Sequence, residues 1–262
     1  MQNPATSYGN TRLPRQDLRQ LQLSMAGYLY TLTEKGILMC LRAKGGKLRW
    51  QRDLPSMYDV EVLPYGFSGS PVADENLIIM NANTSGIALD KKTGKLIWAS
   101  EPHKKPIRSE HYAIAVCFDY NGVRSSLLFS RHGLYCVETE TGKQQWFHKF
   151  FPSFYNAADA VLVGNQVFIA ASGTVDDPSA LLDISTNPPT ILWINDHLNT
   201  VFPTAVHVDG YLGSKGAYHT QLRSKISLPF SCVELSTDGT DNVGKEFVVC
   251  VYYCSRRQVH YP

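Results

Sequence analysis

Chemistry in this chain would have to come from a few polar and aromatic side chains that stand where a recurring pattern is interrupted. Arg108, His111, Tyr112, Arg131 and His132 lie in the middle of the sequence, Asn156 and Asp159 follow, and Phe202 and His207 come later. Such residues bind ligands through charge, hydrogen bonds and ring faces, and a carboxylate near a guanidinium can serve in proton transfer. None of them sits at a spacing that defines a reaction. The chain has no Gly-rich phosphate loop, no His-Glu-x-x-His and no Gly-x-Ser-x-Gly elbow. Ser70, in Gly69-Ser70-Pro71, lacks the second glycine of such an elbow. The eight histidines include no pair at zinc-ligand spacing, and Cys250 with Cys254 has no matching second half. The sequence therefore assigns no catalytic residue and no metal ligand. It leaves Arg108, His111, Arg131, Asn156, Asp159 and His207 as candidates for ligand binding, weighed against the plainer reading that they are solvated or bond their own turns.

The elements that must position these residues follow from the four tryptophans. Trp50, Trp98, Trp146 and Trp193 are separated by 48, 48 and 47 residues. The first three close the phrases Gly46-Lys-Leu-Arg-Trp50, Gly94-Lys-Leu-Ile-Trp98 and Gly142-Lys-Gln-Gln-Trp146, and Pro189-Thr-Ile-Leu-Trp193 is a degenerate fourth copy. A fixed period of this length signals a repeat architecture. Within one copy, Leu77–Met80 reads as a short apolar strand, Asn81–Ser85 as a polar turn and Gly86–Leu89 as the next strand. Asp90–Gly94 then makes a tight turn, and Lys95–Ala99 returns. Gly94 suits a left-handed turn position, and the Asp90 carboxylate can bond the turn backbone. Short strands rich in β-branched and aromatic residues, with turn signals roughly every 8 to 12 residues and no stretch of helical period, argue for an all-β chain. Roughly 48 residues make a four-stranded antiparallel blade, and blades arranged radially make a β-propeller. In that fold the repeated Trp supplies contact area between blades, so Trp50, Trp98, Trp146 and Trp193, with Gly46, Gly94 and Gly142, are structural. Cys40, Cys136 and Cys232 recur at twice the period and read as buried, reduced thiols on equivalent strands.

Bulk properties exclude several classes of function. The net charge is +2, with 18% charged residues in no like-charged block, which gives no electrostatic footprint for nucleic acid. No apolar run approaches the roughly 20 residues of a membrane-spanning helix. Residues 1–22 are polar, carry Arg12, Arg15 and Arg19, and contain no stretch like a secretory signal. The chain as given reads as cytoplasmic or as already freed of a leader.

The phrases Gly86-Ile-Ala-Leu-Asp-Lys-Lys-Thr-Gly-Lys-Leu-Ile-Trp98 and Gly133-Leu-Tyr-Cys-Val-Glu-Thr-Glu-Thr-Gly-Lys-Gln-Gln-Trp146 resemble the repeat of the pyrroloquinoline-quinone-like (PQQ-like) β-propellers. Gly69-Ser-Pro-Val72 with Leu77–Asn81, and Asn156-Ala-Ala-Asp159, resemble its bacterial polyvinyl-alcohol-dehydrogenase-like branch. The resemblance covers residues 23–237, leaving an irregular segment 1–22 and a tail 238–262. It implies an exported or periplasmic parent protein and two functional classes. One is a non-catalytic scaffold or binding module, like the lipoprotein of outer-membrane β-barrel assembly, offering channel-mouth loops or strand edges to a protein, peptide or carbohydrate. The other is a quinone-dependent dehydrogenase, in which PQQ and calcium would need a cation such as Arg131, a carboxylate such as Asp159 and an aromatic cover. The sequence lacks the adjacent cysteine pair and the calcium-ligand set of many such dehydrogenases, so the scaffold reading is preferred and no cofactor is expected. Five periods fill the chain, whereas the family usually closes with seven or eight blades, and Asp238-Gly-Thr-Asp-Asn242 stands where the next Gly-Lys-x-x-Trp is due. These features lead to the expectation of four to five blades of an incomplete arc, with exposed edges open to edge-to-edge self-association.

Overall fold

The computed structural model describes residues 21–25, 27–60, 62, 65–101, 110–150, 155–170, 179–195, 203–208, 210–215, 221–225 and 232–234. They form five four-stranded antiparallel sheets, each with its strands in chain order, as in the blades of a propeller. The first blade comprises Leu21–Met25, Tyr28–Leu32, Ile37–Arg42 and Leu48–Asp53; the second comprises Val72–Asp74, Leu77–Met80, Ile87–Asp90 and Leu96–Ala99. The third contains Val116–Tyr120, Val123–Ser130, Gly133–Glu138 and Gln144–Lys149, and the fourth contains Val161–Val163, Gln166–Ala170, Ser179–Asp183 and Thr190–Asn195. Val206–Val208, Tyr211–Lys215, Gln221–Lys225 and Cys232–Glu234 make the fifth.

The described hydrophobic cores lie between blades. One joins the first and second through Leu32, Leu38, Trp50, Ile78 and Leu89. Ile79, Ala88, Leu128 and Val137 fill the space between the second and third. Phe129, Leu134, Trp146, Val167 and Leu182 do so between the third and fourth, and Phe168, Leu181, Trp193 and Leu212 between the fourth and fifth. A single sheet cannot bury both of its faces alone, so each blade depends on its neighbours.

Each tryptophan is aimed by the same irregularity. In the first four blades the register of the last strand pair shifts at one place: Cys40/Leu41, Ala88/Leu89, Cys136/Val137 and Leu181/Leu182. The residue just before each shift pairs with Trp50, Trp98, Trp146 or Trp193. A bulge bends its strand and redirects the adjacent side chain. Trp50 thereby donates its indole N–H to Lys91 O of the next blade at 3.1 Å, and Trp98 donates to Thr139 O at 2.9 Å. Both acceptors lie in the turns that hold Gly94 and Gly142, whose φ angles are +66° and +72°. Asp90 fixes its own turn by accepting from the N–H groups of Lys92 and Thr93 and from the Thr93 hydroxyl.

Two details differ from the sequence reading. Cys40 and Cys136 are fully buried on the third strands of their blades, but Cys232 lies on the fourth strand of the fifth, because Gln221–Lys225 has taken the third place. A five-residue helix, Leu54–Tyr58, stands where no helical period was read. It is too short to show a period. Local capping builds it: Asp53 accepts from Ser56 N–H at 3.2 Å, and a proline sits in the first turn.

Candidate functional site

Chain direction sorts the connections to two ends of the blades. The tight turns after the first and third strands, including those of Gly94 and Gly142, lie at one end. The turns after the second strands and all links between blades lie at the other, and this loop end gathers the repeat-breaking residues. Arg131 and His132 form the turn between Val123–Ser130 and Gly133–Glu138. His111 and Asn156 face each other in register in a two-stranded parallel pair, Glu110–His111 with Tyr155–Asn156, which ties two inter-blade links together by backbone. Asp159 closes the second of these links. His207 opens the fifth blade and is half-buried. Arg108 and Phe202 lie outside the described residues.

Asp159 is the best-defined of these side chains. Ile114 N–H donates to Oδ1 at 2.8 Å, and the Thr204 hydroxyl donates to Oδ2 at 2.9 Å. The backbone N–H of Asp159 reaches Thr204 Oγ1 at 3.1 Å. Ile114, Asp159 and Thr204 each stand two residues before the first strand of a blade, at Val116, Val161 and Val206. They occupy one position in three successive copies, and the carboxylate pins the entries of the third, fourth and fifth blades. Burial raises the Asp159 pKa, while the bonds from Ile114 and Thr204 act in the opposite direction. The His132 imidazole is lowered by desolvation and then by the neighbouring Arg131 charge.

A polar stretch that sequence reasoning took for an ordinary turn is buried at the same end. Asn81, Asn83 and Thr84 are each at most 5% exposed. Asn81 Nδ2 donates to Ala113 O, in the link before the third blade, and to Phe129 O within that blade. Thr84 Oγ1 donates to Asn81 O at 2.8 Å and accepts from Gly86 N–H at 2.9 Å, while Ser130 Oγ donates to Thr84 O at 3.2 Å. Ala82 and Asn83 have φ angles of +46° and +57°, a left-handed backbone that a residue with a side chain adopts at a cost. The available signal was Asn83, since Asn tolerates this conformation best among such residues.

Among the described residues, no group of three or more His, Cys, Asp or Glu side chains could hold a metal ion. Asp159 has both oxygens engaged by the fold.

A family model described as the outer membrane protein assembly factor BamB matches residues 15–212. The chain belongs to this family of PQQ-like β-propellers. Among solved structures, BamB from Moraxella catarrhalis superposes with a TM-score of 0.59 at 13% identity, over 79% of this chain and 57% of that one. The quinohemoprotein alcohol dehydrogenase ADHIIG from Pseudomonas putida HK5 gives 0.56 at 13% identity, over 82% of this chain and 41% of that one. The computationally designed Ika8 protein gives 0.52 at 13% identity, over 78% and 57%. At these identities the likeness shows the shared propeller fold alone, and this BamB-family chain spans between 41% and 57% of the length of these structures. No curated protein sequence matches it. No described helix is long and apolar enough to cross a membrane.

Proposed function

We propose that this BamB-family propeller is a non-catalytic binding module of the cell envelope that presents its loop end to a protein partner in outer-membrane protein assembly. The observation that carries this reading is the use of Asp159. A dehydrogenase would need its carboxylate free to take a proton from substrate. Here both oxygens accept hydrogen bonds that align three blades, so the group works as a fastener. The family match supports the same reading, and a fold of blades that stabilise one another supplies a rigid platform on which loops can diverge.

Photo-crosslinking tests it. A crosslinking residue replacing Tyr65, exposed at the loop end, captures an envelope protein, whereas the same residue replacing Val123, exposed at the opposite end, does not. Capture from Val123 alone would overturn the assignment of the surface. Dye-linked alcohol oxidation after addition of quinone and calcium, if lost in Asp159→Ala, would overturn the non-catalytic reading.

A further inference from the structure

The turn end of the first two blades gathers positive charge that no single stretch of the sequence shows. Lys47, Arg49 and Arg52 belong to the last turn and outer strand of the first blade, and Lys91, Lys92 and Lys95 to the corresponding turn of the second. Packing brings the two sets together. Arg49 Nε donates to Lys92 O at 3.1 Å, and Arg52 donates to Gly94 O at 2.8 Å and to Thr93 O at 2.7 Å. Arg42 and Lys44, both exposed, extend the patch along the first-blade turn. Among the described residues, none of these cations enters an ion pair. The described carboxylates at this end of the two blades are Asp74, Glu75 and Asp90. Arg124 of the third blade takes Asp74, and Asp90 bonds its own turn. The arginines are held by neutral oxygens, for Arg49 also donates to the Tyr28 hydroxyl at 2.9 Å and Arg52 to Gln51 O at 2.7 Å. Such acceptors fix a guanidinium in place without cancelling its charge.

The next junction lacks this charge. The third-blade turn has Thr139 and Glu140 where the second has Lys91 and Lys92, and its Lys143 pairs with Glu138 at 3.3 Å. Gln145 and His148 stand where the first blade has Arg49 and Arg52. Blade docking does not call for the lysines, because Trp50 and Trp98 bond to main-chain oxygens, Lys91 O and Thr139 O. Like charges repel, so a cluster that the fold does not require points to an oppositely charged partner.

The surroundings select that partner. Leu48 and Ile97, on the outer strands beside these cations, are 50% and 46% exposed. Apolar side chains interleaved with long cationic ones suit the boundary between lipid headgroups and acyl chains. The arginine N–H groups are already committed to the chain, so the patch acts through charge density more than through forked hydrogen bonds. That fits a fluid array of phosphates better than a fixed set of carboxylates. The Arg49 guanidinium lies over the Tyr28 ring, 5.2 Å from its centroid, and occupies a ring face on which a nucleic-acid base would stack.

We propose that the turn end of the first two blades is a docking surface for an anionic phospholipid membrane. Lipid phosphates gather over Lys47, Lys92 and Lys95, and Leu48 and Ile97 enter the headgroup boundary. The loop end then faces away from the bilayer, open to a protein partner.

Co-sedimentation of the full chain with vesicles tests this. The probes are phosphatidylcholine alone and phosphatidylcholine with about one-third phosphatidylglycerol. At about 0.1 M salt the chain sediments with the anionic vesicles and not with the neutral ones, and about 1 M salt, where the Debye length shrinks to about 3 Å, releases it. Lys92→Glu gives this turn the acidic residue of the third copy. At about fivefold per unit of charge near an anionic surface, this reversal weakens binding about thirtyfold. Lys47→Glu, in the other blade, does the same. Lys35→Glu, at the loop end, makes the same change in net charge and leaves binding within about twofold. All three lysines are exposed, and circular dichroism checks that the variants stay folded. No binding to the anionic vesicles, equal binding to the neutral ones, or equal losses from Lys35→Glu and Lys92→Glu would overturn the proposal. Lys92-dependent binding of a polyglutamate peptide or an oligonucleotide without vesicle binding would do so too, and would give the patch to an acidic protein or a nucleic acid. No partner protein is present in this assay, so its outcome stands apart from that of the Tyr65 crosslink.

Discussion

Replacing Gly142 by alanine isolates the contact that joins one blade to the next. Gly142 has a φ of +72°, and an added Cβ would lie 2.5 Å from Cδ2, 2.7 Å from Cε3 and 2.8 Å from Cγ of Trp98. These are ring atoms of an indole that is tied to Thr139 O at 2.9 Å, so the ring cannot swing away without losing that bond. Two costs add. Left-handed backbone costs an alanine about 1–2 kcal/mol, and overpacking costs about 1–3 kcal/mol more, for a total of roughly 2–5 kcal/mol. Gly122 provides the control. It belongs to the same blade and has a φ of +79°, but a Cβ there meets nothing within 4 Å, so Gly122→Ala carries only the backbone cost of about 1–2 kcal/mol. Urea unfolding reads both as shifts in midpoint at constant slope. A third variant closes the argument: in a Trp98→Ala background the clash is gone, and the Gly142 penalty falls by about 1–3 kcal/mol, a coupling expected of residues in contact. Equal effects at Gly142 and Gly122, or an undiminished Gly142 penalty without Trp98, would refute the account of how the blades interlock.

Further outcomes follow from the same contacts. Asp74 is buried and takes a two-pronged ion pair from Arg124, at 2.6 Å from Nη2 and 2.8 Å from Nε, joining the second and third blades. Asp74→Ala should destabilise by about 3 kcal/mol in urea titrations, because it removes the two-pronged partner of a partly buried guanidinium and leaves the longer contact with exposed Asp119 at 3.3 Å; a loss within the range of a surface pair would show that water already screens it. Burial raises the Asp159 pKa, so the folded state holds that proton to higher pH than the unfolded chain. Its contribution is fully present below the ordinary carboxylate range and is lost as pH rises through the raised value. Asp159→Asn, which can still accept from Ile114 and donate to Thr204, should keep the stability and flatten this pH dependence in thermal melts, whereas Asp159→Ala should cost about 1–3 kcal/mol. The Cys136 thiol is pushed up to about 12 by burial, and Cys40 is raised for the same reason. Iodoacetamide near neutral pH should therefore spare both in the folded protein and modify both in urea, as read by peptide mass spectrometry; native labelling of Cys136 at the unfolded rate would contradict its place in the core.

Much of the fold was legible because a repeat announces itself. The Trp spacing gave the number of copies, and the Asp90–Gly94 turn was readable residue by residue, since a carboxylate that bonds its own backbone and a glycine at positive φ are local matters. The bulge beside each Trp was not legible. It adds one residue to a strand without changing residue types, and only pairing to the neighbouring strand reveals it. The helix Leu54–Tyr58 was hidden by brevity, and the fifth blade kept the period of its cysteine while shifting its strand.

The candidate site divides along the same line. Sequence picked out Asp159, His111 and Asn156 as interruptions of the pattern, and chain direction alone would have placed them at one end. It could not show that the Asp159 oxygens meet Ile114 and Thr204, because those partners lie one repeat away on either side and adopt different residue types. It also missed Asn81, whose environment is set by carbonyls of another blade. Repetition, turn chemistry and hydrophobic alternation are written in neighbouring residues, so the sequence determined the blade and its turns by itself. Which polar atoms are satisfied, and which are left buried without a partner, depends on the packing of one blade against the next, and the tertiary structure alone decided it.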